Sequence, residues 1–258
     1  MTTQPDKRNA AYKANEVLKQ CGIEEPHHIV IETIAAALGA VPKEEPLQGA
    51  DGRLVVAGDI GAITVRESIP EPGRKRFVIA HELGHFILHR KLTAAIVCNE
   101  GSFHILSDKA PIEAEANYFA AEILMPESMF KPRVYGRDLK KPLLNDLCKE
   151  FQTSLTATAI RFAIMRPDYA LICSSKDRIE WFIIDVDNFP YFINIRGKVH
   201  QDSVAAEFFK GESVPESFFP IQHHAWLSVK WLRGRLKELA LPIPQAQRVL
   251  SFLYVEED

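Results

Sequence analysis

Residues 80–89 read AHELGHFILH, and the reading of this stretch decides the fold. Its three histidines fall at 81, 85 and 89, four residues apart each time. In a helix, residues four apart lie about 40° around and about 6 Å along the axis from one another. His81 and His85 can therefore aim two imidazoles at one ion, with Glu82 next to the first of them. Zinc takes such nitrogens at about 2.0–2.1 Å, and a catalytic zinc keeps one position open for water. Glu82 would take the proton of that water as it attacks a carbonyl. The pattern H-E-x-x-H also arises by chance, with about 0.02 matches expected in a chain of this size and composition. The rival pair His85 and His89 would put Phe86 in the position of the base, so it carries no such chemistry. His89 lies about 12 Å along the axis from His81. It reads as a helix-end residue or one that supports a ligand.

Working outward, RKRFVIAHELGHFILHR (74–90) is apolar on most sides, which predicts a buried helix. Upstream, helices are expected at 7–21 and at 29–41, the latter closed by Gly39 and stopped by Pro42. RLVVAGD and GAITVRES read as two short strands with a turn near Asp59. The stretch 92–110 has no clear pattern. Pro111 opens another helix, PIEAEANYFAAEILM, ended by MPES. Residues 138–151 and 154–165 give two helical segments in a helix-turn-helix-like arrangement. Beyond Pro167 the pattern turns to strands: YALICSS and IEWFIIDV as a hairpin around Lys176–Arg178, then PYFINIRG, then RVLSFLYV. A domain boundary is expected near 167.

A third metal ligand must come from elsewhere, and the helix after Pro111 offers Glu113, Glu115 and Glu122, with Glu127 past its end. Ala116, Phe119, Ala120, Ile123 and Leu124 mark its buried face; Glu115 and Glu122 share the opposite one. Glu113 borders the buried side and is the chosen ligand, with Asn117 one turn later as a group that orients a ligand or only fixes helix packing. GAITVRES is the candidate edge strand for an extended substrate, the other reading being an interior strand. His104 is a candidate partner for the oxyanion. His223 and His224 lack ligand spacing to a third donor, and His27 and His28 read as solvated.

AHELGHFILH and IEAEANYFAAEILMP together resemble the ImmA/IrrE family of metallopeptidases. The family's second block, E-x-x-A-N-x-F-A-x-x-L-L-M-P, is matched by Glu113, Ala116, Asn117, Phe119, Ala120, Leu124, Met125 and Pro126, with Ile123 a conservative change. The resemblance covers about two thirds of the chain. It implies an α+β fold: a zincin-like metallopeptidase domain (1–130), a helix-turn-helix-like helical segment (131–166), and a small α+β C-terminal domain (167–258) like the GAF domains of IrrE-type members. It also implies that His81, His85 and Glu113 bind zinc or manganese and that Glu82 is the base. The implied activity is cleavage of a helix-turn-helix repressor of the XRE type, which releases stress-response or mobile-element genes.

Composition bounds these readings. A chain of 258 residues can bury a sizeable core as one or two domains. Its polar amino terminus and the lack of a long apolar run predict a soluble protein that is not exported, without a membrane span. Cys21, Cys98, Cys148 and Cys173 form no C-x-x-C pair, which fits a reducing cytoplasm. Charge is uneven: residues 131–166 carry eight basic and three acidic groups, an excess of +5 in a chain of net charge −3. That excess motivates a second reading, a regulator that binds DNA or a protein partner through 138–166 and uses a metal only to hold its fold.

Overall fold

The computed structural model describes residues 4–90, 95–98, 111–176, 178–194 and 198–257. Its secondary structure is α+β, with eight α-helices and two sheets among those residues. Two compact units divide the chain: residues 1–132 with 147–154, and residues 133–146 with 155–258.

In the first unit, α1 (Lys7–Gln20) is capped by Asp6, whose side chain accepts from the Asn9 N–H, and buries Ala10, Ala14, Val17 and Leu18 at helical spacing. Next, α2 (Ile31–Ala37) is shorter than the periodicity predicts. Gly39, with φ of +88°, turns the chain, and Ala40–Glu45 becomes β1. Pro42 thus sits inside a strand rather than stopping a helix. Strands β2 (Gly52–Ala57) and β3 (Ile60–Arg66) follow, then α3 (Pro72–His89), β4 (Ala95–Cys98) and α4 (Pro111–Leu124). The sheet order is β1-β3-β2-β4, parallel between β1 and β3 and otherwise antiparallel. Pro42 is tolerated because β1 is an edge, where a missing N–H costs no ladder bond.

This order corrects one expectation. GAITVRES, proposed as the edge that receives substrate, forms β3 and pairs on both sides, so it is interior. The edge whose Cys98 lies beside Glu82 is β4, and its four residues fall in the stretch that shows no sequence pattern.

Helix α3 runs under the sheet. Leu83 and Phe86 on it are fully buried, each contributing about 1.5–3 kcal/mol by leaving water. Its start is fixed by Asp51, a buried carboxylate that holds both Arg66 at the end of β3 and Arg74 in the first turn of α3. Helix α4 packs across α3 at Gly84. A Cβ there would stand 3.2 Å from the Ala116 Cα and 3.1 Å from Phe119, a tight contact that would push the two helices apart by a few tenths of an ångström, which glycine avoids.

Helices α5 (Glu127–Val134), α6 (Lys141–Phe151) and α7 (Leu155–Met165) follow. The sequence reading ended the preceding helix at MPES and did not foresee α5, which contains Pro132.

The second unit carries a five-stranded antiparallel sheet from β5 (Ala170–Ser175), β6 (Arg178–Ile183), β7 (Phe219–Pro220), β8 (Arg235–Ile243) and β9 (Arg248–Glu256), in the order β6-β5-β9-β8-β7. The β5–β6 hairpin and β9 match the sequence pattern. PYFINIRG does not form the expected strand: among its described residues only Ile193 pairs, in an isolated bridge to Leu227, and Phe192 is exposed. β8 and the helix α8 (Val204–Lys210) carry no clean alternation or apolar stripe and escaped the sequence reading.

Candidate metal centre

The i, i+4 spacing on α3 brings His81 and His85 side by side, both fully buried, with their Nε2 atoms 3.0 Å apart. From α4, Glu113 places Oε2 3.4 Å from His81 Nε2 and Oε1 3.4 Å from His85 Nε2. Ligands of a tetrahedral ion at about 2.0–2.1 Å lie about 3.3 Å from one another. The three separations bracket that value.

The neighbours fix which nitrogens carry protons. His81 Nδ1 lies 2.9 Å from Asn117 Oδ1, an acceptor, so this nitrogen donates and Nε2 keeps its lone pair. His89 Nε2 lies 2.8 Å from a Glu115 oxygen and donates to it. His89 Nδ1 is then an acceptor, and His85 Nδ1, 3.0 Å away, donates to it. His85 Nε2 keeps its lone pair in turn. Burial lowers the pKa of both His85 and His89, against the opposing pull of Glu113 on the first and Glu115 on the second, which favours neutral rings. Three acceptor atoms thus converge, and Glu113 Oε2 is buried without a hydrogen bond. A cation relieves that arrangement, and the donor set of two imidazoles and a carboxylate suits a divalent transition ion.

Glu82 is fully buried, and neither of its oxygens has a hydrogen bond of good geometry. Burial pushes its pKa up to about 7, against the smaller opposing effects of His85 and the Cys98 thiol. Gly52 on β2 makes room for it, since a Cβ at 52 would run into the Glu82 carboxylate and Val78. Across the ladder, Gly52 pairs with Cys98 of β4. Cys98 is buried, and its thiol is shifted upward by burial first and by Glu82 second. One donor atom from each of His81, His85, Cys98 and Glu113 lies within 4.8 Å of the others.

Sequence reading named His81, Glu82, His85 and Glu113, and the structure brings all four together. It missed Cys98 because β4 shows no pattern. It also missed Glu115, which was assigned to the outer face: Glu115 holds His89 and accepts the Asp6 N–H at 2.8 Å. Glu122, assigned to the same outer face, is buried and accepts from Asn15 Nδ2 at 3.0 Å and from the Glu127 N–H at 3.1 Å. Tyr118 lies away from the centre, under the Lys7 ammonium. His104 falls outside the described residues. His27 and His28 are exposed.

A two-histidine helix, faced by a carboxylate from a second helix beneath a mixed sheet, is the build of a metallopeptidase. The sequence profile of the IrrE N-terminal-like domain, Peptidase_M78, matches residues 35–163, half of the chain. The chain belongs to this ImmA/IrrE family of metallopeptidases, for which a divalent metal is implied. Metallopeptidase ImmA of Bacillus subtilis (strain 168) is 42% identical over 55 residues, 21% of this chain and 30% of that relative, so the match spans under a third of the relative's length. A solved structure described as a Mycobacterium tuberculosis transcriptional regulator shares the fold, with a TM-score of 0.57 at 12% identity over 96% of this chain and 76% of its own. Among the described residues no helix is long and apolar enough to cross a membrane.

Proposed function

We propose that this protein is a cytoplasmic zinc-dependent endopeptidase that cuts a helix-turn-helix transcriptional repressor and so releases stress-response or mobile-element genes. The observation that carries the reading is the convergence of His81 Nε2, His85 Nε2 and Glu113 at separations of 3.0–3.4 Å, with both imidazole lone pairs turned inward. These three residues would hold the ion, zinc by preference and manganese as the other candidate. When bound, a divalent ion supplies Lewis-acid polarisation of a peptide carbonyl and acidifies water. Glu82 takes the proton from the attacking water and passes it to the leaving amine, work suited to a carboxyl whose pKa is pushed to about 7. Asn117 and the His89–Glu115 pair keep the two rings in the ligating tautomer. The substrate chain, extended, would add to β4, whose outer edge has no partner strand among the described residues.

Repressor cleavage is supported by family membership and by the likeness to a relative called ImmA. The rival reading, DNA binding through residues 138–166, loses support because no residue of α7 is exposed and Arg166 is engaged with Asp168 and with the carbonyls of Val134 and Arg137. The test is to mix the purified protein, zinc and a small helix-turn-helix protein encoded beside it. A discrete cut, absent with Glu82→Gln although that variant still holds metal, supports the proposal. Continued turnover by Glu82→Gln removes the role of Glu82, and salt-sensitive DNA binding without any cut favours the rival.

A further inference from the structure

The histidine pair at 223 and 224 shows no ligand spacing in the sequence, yet the fold of the second unit supplies the missing donors. His224 Nε2 lies 3.0 Å from Asp202 Oδ2, and His200 Nδ1 lies 3.7 Å from the same oxygen. Those distances straddle the roughly 3.3 Å expected between two ligands of one tetrahedral ion. The two imidazole rings meet edge to face with centroids 5.0 Å apart, and one donor atom from each of the three residues lies within 4.8 Å of the others. The Asp202 N–H donates to His200 Nδ1 at 3.2 Å, which anchors that ring beside Asp202; an ion taken by this nitrogen would replace that hydrogen bond.

The three donors come from two chain segments, and a buried carboxylate ties those segments together. Glu238, on β8, is fully buried and accepts from the N–H groups of Val204 and Ala205, two and three residues after Asp202. The same carboxylate accepts from the indole of Trp226, two residues after His224, and from the Ser251 hydroxyl on β9. Ser203 adds a second clamp, capping α8 through the Ala206 N–H while its hydroxyl donates to the His200 carbonyl. Asp202 and His224 are thus held by the backbone and core around them, although their side chains reach solvent.

The geometry points to a second metal site, formed by His200, Asp202 and His224, that takes a divalent transition ion with a preference for imidazole. Two neutral imidazoles and one carboxylate suit zinc, nickel or copper rather than magnesium or calcium, which call for oxygen donors. The site is independent of the peptidase centre, and both can be counted in one experiment.

Zinc retained by the full-length protein is measured by elemental analysis after loading and desalting into metal-free buffer. Wild type is expected to keep two equivalents, and His200→Ala/His224→Ala one, with unchanged circular dichroism because both side chains are partly exposed. Asp202→Asn, which keeps the shape and removes the charge, should also lose the second equivalent. Glu113→Gln should lose the other. Two equivalents retained by the double histidine variant overturn the proposal. So does a single equivalent in wild type that Glu113→Gln removes, which marks Asp202 and His224 as a plain surface ion pair and leaves the peptidase reading standing. A single equivalent that only the double histidine variant removes upholds the second site and sinks the peptidase centre.

Discussion

Substituting Glu82→Gln should change how the metal-free protein responds to pH, and the size of the effect follows from burial. The folded carboxyl has its pKa raised from the usual 4.5 to about 7. At 1.36 kcal/mol per unit, that is about 3 kcal/mol of preference for the protonated form in the fold. A raised folded pKa contributes stability that is complete below about 4.5 and is lost as pH rises through about 7. About 2 kcal/mol of the loss should fall between pH 5.5 and 8. Glutamine is neutral and nearly isosteric, so the variant lacks this loss. Urea unfolding of chelator-treated protein, followed by far-ultraviolet circular dichroism, measures it. Tryptophan fluorescence would report the wrong region, because Trp181, Trp226 and Trp231 all lie in the second unit. Going from pH 5.5 to 8, the wild-type midpoint should fall relative to the variant by roughly 1 M urea. Saturating zinc should shrink the difference, since a nearby cation favours the carboxylate. Parallel movement of the two midpoints would refute the claim that Glu82 is an uncompensated buried acid.

Removing the group that orients a ligand should weaken the metal rather than the fold: Asn117→Ala is expected to lower zinc affinity about 10- to 100-fold by competition with a chelator dye, while Asn117→Asp keeps most of it. Gly52→Ala drives a methyl into Glu82 and Val78; cleavage should collapse with zinc stoichiometry intact, and stability should fall by about 1–3 kcal/mol. Zinc at about 100 times its Kd should stabilise the first unit by about 2.7 kcal/mol in urea unfolding, an effect absent in Glu113→Gln. Cys98→Ala should retain the zinc of the peptidase centre; loss of that equivalent would make the thiolate a ligand and close the position that catalysis needs.

Residues 80–89 alone determined the heart of the candidate centre, because helix geometry fixes which side chains face one another a turn apart whatever surrounds them. The apolar stripe of α4 likewise singled out Glu113 and Asn117. Local patterning also gave α1, α3, the β2–β3 hairpin and β9. It failed where neighbours in space override it. Gly39 releases Ala40–Glu45 into an edge strand, where Pro42 is harmless. β8 tolerates Glu238 in its interior because two backbone N–H groups, an indole and a hydroxyl meet it there.

Tertiary structure decided the rest. The close crossing at Gly84 carries Glu113 to the two imidazoles and Glu115 to His89, and so sets the proton on each ring. Strand order leaves β4, not β3, without an outer partner strand among the described residues, with Cys98 beside Glu82. The His200, Asp202 and His224 cluster joins two distant segments that Glu238 bonds on both sides. These are relations between segments far apart in the chain, and their geometry depends on backbone approach and shared buried partners, which no local periodicity encodes.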